Sequence, residues 1–183
     1  MIPNGNKSGD DDGELYDGLD DGLDGGPTDP ARLGALRDEL KRRDLDGFIQ
    51  PRSDEHQGEY VARKSERLAW LTGFTGDSSY LLVGPKLAVL ISDTRYTVQI
   101  SKECAGLDVE IRDARRSMHS AVAQVVKAAK LESLGLEAHS TSMATWQNIS
   151  DAVASSRKST QLVSVDTVVN QLRAIKDAGE IAE

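Results

Sequence analysis

Two apolar runs near the middle of the chain constrain its fold more than any other feature. Tyr80-Leu-Leu-Val83 and Leu87-Ala-Val-Leu-Ile91 are short and nearly continuous, and the sequence between them, Gly84-Pro85-Lys86, is typical of a turn. This spacing predicts an antiparallel hairpin. A sheet that contains such a hairpin cannot be purely parallel.

The segments on either side of the hairpin alternate between strand and helix patterns. Four more short apolar segments predict strands, at residues 48–49, 109–111, 134–136 and 162–165. Helical spacing predicts a helix from Pro30 capped by Thr28 or Asp29, one or two turns ended by Gly73, helices at 93–102, 118–129 and 143–153, and a last helix from Asp166. The sequence therefore predicts an α/β fold with a mixed, roughly six-stranded sheet flanked by helices.

The charge of the chain is concentrated at its amino-terminal end. The formal net charge is −8, and residues 1–30 carry nine acids against the single base Lys7. Residues 31–183 carry 21 acids and 21 bases. We expect residues 1–29 to form a disordered acidic tail, because Asp and Gly are interleaved there with few apolar side chains. A neutral folded part does not attract a phosphate backbone, so nucleic acid is not an expected partner.

Cysteine usage and hydropathy bear on the compartment. Cys104 is the single cysteine, so no internal disulfide can form. No leader of secretory type, with a charged and then an apolar region, is visible. No apolar run approaches the ~20 residues that a bilayer requires. We expect a cytoplasmic protein without a membrane partner.

Four ordered segments carry a resemblance to a known family. They are PRSDEHQGEY at 51–60, LAWLTGFTG at 68–76, DTRYTVQ at 93–99 and LRAIKDAGEI at 172–181. Together they resemble the amino-terminal domain of Xaa-Pro aminopeptidases and dipeptidases in the creatinase/prolidase family. The resemblance implies a creatinase amino-terminal-like domain at residues 30–165 and, at residues 166–183, a linker helix of the kind that leads into a catalytic domain.

The resemblance also implies what this region does. In the family this domain is not catalytic; it supports oligomerisation and walls off the active site so that only short proline-containing peptides enter. A pair of divalent metal ions (manganese, zinc or cobalt) is expected only in the catalytic domain, held there by two Asp, one His and two Glu, and no cofactor is expected in this chain. We expect a homodimer, because Leu172 and Ile175 of the last helix would otherwise lose part of their burial.

Two motifs depart from the common family pattern. Many members have Asp-Gly-Arg-Tyr where Asp93-Thr-Arg-Tyr96 stands, and Ser-Ala-Gly or Ser-Ser-Gly where Asp77-Ser-Ser79 stands. Threonine is favoured at a helix amino terminus, so the fold should tolerate Thr94.

Four residues at the ends of two motifs are candidates for facing a peptide. Trp70, Phe74, Arg95 and Tyr96 could form an aromatic wall beside a guanidinium, which suits an apolar side chain and a carboxylate. The alternative is that both Trp70 and Phe74 belong to the core and that Arg95 pairs with Asp77 or Asp93.

His56 lies in a polar loop, at residues 52–59, that also contains three acids. Such a loop is usually a solvated rim, and the resemblance places it beside a neighbouring active site. His56, His119 and His139 are too far apart in sequence for a zinc motif, so no metal site is predicted.

Two other functions remain open on sequence alone. The chain could be a stand-alone module that binds peptides or proteins. Gly76-Asp77-Ser78 also matches the nucleophile block of GDS-type serine esterases, but those enzymes need Asp-x-x-His near the carboxyl end. Leu136 stands three residues before His139, so a simple turn is the favoured interpretation of Ser78.

Overall fold

A mixed sheet of six strands forms the centre of the computed structural model, which describes residues 28–157, 159–176 and 181. The strands are β1 Gly47–Pro51, β2 Tyr80–Val83, β3 Ala88–Asp93, β4 Asp108–Arg112, β5 Ser133–Glu137 and β6 Gln161–Val165. Their order is β4-β3-β2-β1-β5-β6. Only β2 runs antiparallel to its neighbours, through the predicted hairpin with β3 and through its pairing with β1. The predicted mixed α/β fold is confirmed; the predicted acidic tail lies, for residues 1–27, outside the described residues.

Six α-helices connect the strands in the described part of the chain. They are α1 Pro30–Arg42, α2 Arg67–Thr72, α3 Thr97–Glu103, α4 Met118–Ala129, α5 Met143–Ser156 and α6 Val168–Arg173. Short 3-10 turns at Arg63–Ser65, Thr94–Tyr96 and Ala138–Ser140 precede α2, α3 and α5. None of the described helices is long and apolar enough to cross a bilayer.

The helix ends follow from local side-chain chemistry. Asp29 caps α1 by accepting a hydrogen bond from the Ala31 amide at 2.8 Å, and Pro30 occupies the first position. Gly73 ends α2 with φ of 76°, a left-handed conformation that glycine adopts without steric cost. The hydroxyls of Ser117 and Ser142 cap α4 and α5 in the same way as Asp29 caps α1.

Two hydrophobic clusters cover the two faces of the sheet. On β1, Phe48 belongs to one cluster and Ile49 to the other, as alternation along a strand requires. The first cluster contains α1, α2, α3 and α6; the second contains α4 and α5. Cys104 is buried in the first, and burial raises the pKa of its thiol to about 12, so the thiol stays protonated.

The last helix is shorter than its apolar pattern predicts. Val169 is buried and Leu172 packs against the first cluster, as expected. Ile175 was predicted to continue this stripe, but α6 ends at Arg173 and Ile175 is 82% exposed. Residues 177–180 and 182–183 lie outside the description.

Candidate functional site at the carboxyl edge of the sheet

The carboxyl ends of five strands meet at one edge of the sheet. β1, β3, β4, β5 and β6 run parallel, so the segments that follow them leave from the same side, where β2 begins. We call this side the carboxyl edge. Open α/β sheets bind ligands outside the carboxyl ends of their strands.

The loop after β1 is fixed to this edge by hydrogen bonds. Ser53 Oγ and Gln57 Nε2 both donate to the carbonyl of Ser140, at 2.7 and 2.9 Å. Gln57 Nε2 also donates to the carbonyl of Asp54 at 2.7 Å, and Arg67 Nη2 donates to the carbonyl of Ser53 at 2.9 Å. The loop therefore has a defined shape set by the 3-10 turn after β5 and by α2, although many of its side chains are exposed.

A buried ion pair lies beneath the loop. Arg67 Nε is 3.5 Å from Glu137 Oε2, and both side chains are 1% exposed. Glu137 Oε1 also accepts a hydrogen bond from the Val169 amide at 3.0 Å. The pair therefore joins α2, β5 and the start of α6.

Arg52 forms a second charged group closer to the surface. Its two terminal nitrogens contact the carboxylates of Glu66 and Asp77. Burial raises the pKa of Glu66 above its ordinary value, and the attraction of Arg52 opposes that shift. The charge of Arg52 is therefore balanced by carboxylates on both sides.

Arg95 pairs with Asp93, one of its two predicted partners. Its Nη2 donates to Asp93 Oδ2 at 2.8 Å and its Nε to Oδ1 at 3.0 Å. The side-chain hydrogen bond from Arg95 is the largest cause that holds the pKa of Asp93 below its ordinary value. The Arg95 guanidinium also lies 5.1 Å from the centre of the Tyr96 ring, and its side chain is 63% exposed.

The aromatic candidates divide between core and surface. Phe74 is fully buried and its ring is nearly perpendicular to that of Tyr96, with 5.7 Å between ring centres. Tyr96 is half-buried and also contacts the Arg95 guanidinium. Phe74, Tyr96 and Arg95 therefore form one series of contacts from the core to solvent. Trp70 is half-buried and contacts Arg32 of α1, whose guanidinium lies 4.8 Å from its ring centre.

His56 and Ser78 are both exposed. The His56 side chain is 76% exposed, and its Nε2 lies 3.9 Å from Glu55 Oε1. Within the described ranges, no histidine is hydrogen-bonded to the Ser78 hydroxyl, and no group of three or more His, Cys, Asp or Glu side chains could hold a metal ion. The esterase interpretation of Ser78 gains no support from this geometry.

A cavity that the sequence does not reveal opens at the carboxyl edge. Its volume is about 210 Å³, and it lies between the loop after β1, the start of β2 and the first turn of α5. Side chains that line it include Arg52, Ser78, Ser79, Tyr80, Thr141 and Thr145. Burial raises the pKa of Tyr80 to about 12, and its hydroxyl lies 3.3 Å from His119 Nε2. The lining residues come from three distant segments, of which only the loop after β1 belongs to one of the four family segments.

Residues 32–175 match the family model of the creatinase/prolidase amino-terminal domain. The chain belongs to this family. It is 30% identical over 140 residues to Xaa-Pro aminopeptidase 2 of Rattus norvegicus, and it is also 30% identical to the Homo sapiens protein of that name. Each alignment covers 74% of this chain but only 20% of the relative. The chain thus spans about a fifth of the length of these relatives.

Solved structures agree with this creatinase/prolidase fold. The amino-terminal domain of the cytoplasmic peptidase PepQ from Mycobacterium tuberculosis is similar with a TM-score of 0.62 and 27% identity, over 78% of this chain and 98% of that one. The Xaa-Pro dipeptidase from Bacillus anthracis gives a TM-score of 0.68 at 22% identity, over 83% of this chain and 38% of that one. The second likeness concerns the fold alone.

This creatinase/prolidase domain accommodates both departures from the common family motifs. Thr94 begins the 3-10 turn before α3, and Asp93 Oδ1 accepts from the Arg95 amide at 3.0 Å. Ser78 adopts φ of 40°, in the left-handed region where glycine is preferred. The expected tolerance of Thr94 agrees with this geometry, whereas Ser78 holds local backbone strain beside the cavity.

Proposed function

We propose that this chain is the non-catalytic amino-terminal domain of an Xaa-Pro aminopeptidase-like metallopeptidase of the cytoplasm. It supports oligomerisation and shapes access for short proline-containing peptides. The enzyme would release the residue that precedes proline. Its divalent metal pair (manganese, zinc or cobalt) would be held by a catalytic domain outside these 183 residues.

The observation that carries the proposal is an exposed aromatic residue on a fixed loop. Tyr60 is 88% exposed in the segment between β1 and α2, whose earlier part is hydrogen-bonded to the carboxyl edge. Met143, at the start of α5 and 80% exposed, lies at the same edge. Exposed aromatic and methionine side chains are enriched at protein interfaces. These two suit a surface that packs against a catalytic domain.

A binding experiment tests this role directly. The metal-binding domain of a creatinase/prolidase-family Xaa-Pro aminopeptidase, produced separately, is titrated with this chain in a calorimeter. We expect binding that Tyr60→Ser weakens by about tenfold or more, because aromatic anchors dominate interface energies. Val98→Ser, at an exposed apolar residue on α3 that is 66% exposed against 88% for Tyr60, serves as the control. Equal affinity of the Tyr60 variant and the unchanged chain would contradict the proposal.

Catalysis gives a second test. Incubation of the chain alone with manganese and an Xaa-Pro peptide should give no product. Turnover that co-purifies with the chain would show that catalysis lies within it. Direct binding of the peptide without the catalytic domain would instead favour a stand-alone binding module.

We also propose that the chain forms a homodimer, because the apolar side chain of Ile175 is exposed. This residue lies just after α6 and is mostly exposed, so pairing of two copies there would remove it from water. Light scattering coupled to size exclusion measures the mass. A dimer that Ile175→Ser weakens is the expected result, and a monomer at high concentration would refute the proposal.

A further inference from the structure

β6 is an outermost strand of the sheet and has a partner strand on one side only. It pairs with β5, and its other side, which we call the free side of β6, has no described strand beside it. The Gln161 amide donates to the carbonyl of Glu132 at 2.8 Å, so the backbone groups of Gln161 point toward β5. Successive residues alternate in this direction, so the amides and carbonyls of Leu162 and Ser164 point to the free side. Within the described ranges, no group is hydrogen-bonded to them.

The two outermost strands of the sheet differ in charge. β4, at the opposite end, has charged side chains at Asp108, Glu110 and Arg112. Charged side chains of this kind discourage a further strand from pairing with an outermost strand. β6 has the sequence Gln-Leu-Val-Ser-Val, with no charge and no proline, and its Val163 side chain is 37% exposed. The free side of β6 is therefore open to pairing with another strand.

The sequence of β6 is suited to pairing with a second copy of itself. A two-fold axis at Val163 would place Leu162 of one copy opposite Ser164 of the other, in antiparallel orientation. Each such pair exchanges two backbone hydrogen bonds, so every amide and carbonyl of these two residues on the free side gains a partner. A charged residue on the axis would face its own copy and be repelled, whereas Val163 is apolar.

The same register also joins the hydrophobic faces of the two sheets. Leu162 packs against the second cluster and Val165 belongs to the first, so Val163 lies on the face of the first cluster. Directly opposite side chains of an antiparallel pair lie on the same face, with their Cβ atoms about 4.5–5.5 Å apart. The two Val163 side chains would therefore remove each other from water.

We propose that two copies of this chain pair through β6, antiparallel about a two-fold axis at Val163, so that their six-stranded sheets form one continuous sheet. The inference rests on the proposed homodimer and names a surface for it, but it makes no use of Ile175. Five residues of paired strand form a small interface, so we expect a dimer that forms only at high protein concentration.

Disulfide cross-linking tests the position of the axis. Val163→Cys in the full chain should give a covalent dimer with oxidised glutathione, because residues opposite each other in a non-hydrogen-bonded pair have Cα atoms about 4.5 Å apart, which a disulfide can span. Val109→Cys, on β4 and 41% exposed, is the matched control and should remain monomeric on a non-reducing gel. Cys104 is buried and does not compete. Equal yields from the two variants would overturn the proposal.

Hydrogen exchange separates this interface from one at Ile175. The amides of Leu162 and Ser164 should exchange rapidly in dilute protein and become protected as the concentration rises. Val163→Lys, which places two like charges at the axis, should abolish this protection and leave the thermal midpoint of the dilute protein unchanged.

The outcomes distinguish the interface from the homodimer. A dimer in light scattering without protection of the Leu162 and Ser164 amides would overturn the interface and leave the homodimer standing. A monomer at high concentration would overturn both. Protection that does not change with concentration would mean that another segment of the same chain covers β6, and would also overturn the proposal.

Discussion

Polar side chains at the two edges of the sheet differ in their partners and in their burial. At the amino edge, where β1 and β5 begin, side chains bind backbone groups near solvent. Asp46 Oδ2 accepts from the amides of Glu132 and Ser133, at 3.0 Å each. Arg37 donates to the carbonyls of Gly84 and Leu87, at 3.1 and 3.2 Å. At this edge, side chains therefore satisfy the backbone amides and carbonyls of the turns.

At the carboxyl edge, charged side chains bind one another in buried positions. Arg67 and Glu137 are almost completely buried, and the pair of Arg52 and Glu66 is only slightly more accessible. Ser79 adds a hydroxyl without a partner. Such an arrangement contributes little net stability, because desolvation offsets the attraction of the charges. The difference teaches that side chains at the amino edge hold backbone groups near solvent, whereas the carboxyl edge buries charges that add little net stability.

The largest expected effect comes from breaking the buried pair. Arg67→Met leaves Glu137 charged and buried, and should lower the free energy of unfolding by about 3–5 kcal/mol. Adding Glu137→Gln removes that charge and keeps an acceptor for the Val169 amide, so the double variant should recover most of the loss. Urea denaturation measures both.

Arg37→Met is the matched arginine change at the amino edge. It should cost only about 1 kcal/mol, because solvent can satisfy the two carbonyls that it releases. Equal losses for the Arg67 and Arg37 variants would remove the distinction between the edges.

Close packing of the backbone at the amino edge gives the next effect. A Cβ at Gly47 would lie 2.9 Å from Leu131 Cδ1 and 3.0 Å from the carbonyl oxygen of Val83. Gly47→Ala should therefore cost about 1–3 kcal/mol, measured by the urea midpoint. Gly34→Ala is the control within α1, where a Cβ meets nothing within 4 Å, and it should stabilise the helix by up to about 1 kcal/mol. An unchanged urea midpoint for Gly47→Ala would show that this edge accommodates an added Cβ.

Asp46 tests the backbone contacts of the same edge. Asp46→Ala removes the acceptor for two amides, but these are near solvent, so the loss should be about 1 kcal/mol. Asp38→Ala, at an exposed position of α1, should change stability by less than about 0.5 kcal/mol. A thermal melt of both variants distinguishes them. A loss of several kcal/mol at Asp46 would show that substitutions at the amino edge cost as much stability as those at the carboxyl edge.

Most of the fold could be predicted from the sequence because its signals are local. The strand at Tyr80–Val83 and the helix at Met118–Ala129 have the predicted bounds, since a turn sequence and a serine cap mark them. Ile175 was misplaced because periodicity alone does not show where a helix stops.

The candidate site was harder to predict because its contacts are between distant segments. Sequence alone could not decide whether Trp70 and Phe74 face the core or a peptide; Phe74 is fully buried, whereas Trp70 is half-buried. Arginine and glutamate usually lie on the surface, and only the tertiary pairing of Arg67 with Glu137 allows both to be buried. Ser79 and Thr141, which both line the cavity, are 62 residues apart in the sequence and come near each other only in the folded chain.

The smallest effect concerns Asp93, a buried carboxylate at the carboxyl end of β3 whose partner Arg95 is exposed. Hydrogen bonding from Arg95 lowers the pKa of Asp93 below 3.8, so its ionised form stabilises the folded state. That contribution is complete above about pH 5 and is lost as the pH falls through the lowered pKa. Asp93→Asn should therefore lower the thermal midpoint slightly at pH 7, and the two melting curves should converge in acid. Arg95→Ala should reproduce most of this convergence, because it removes the largest cause of the shift and leaves only the weaker attraction of Arg112. A constant difference between variant and unchanged chain from pH 7 to acid would mean that Asp93 acts only as a cap for the turn before α3.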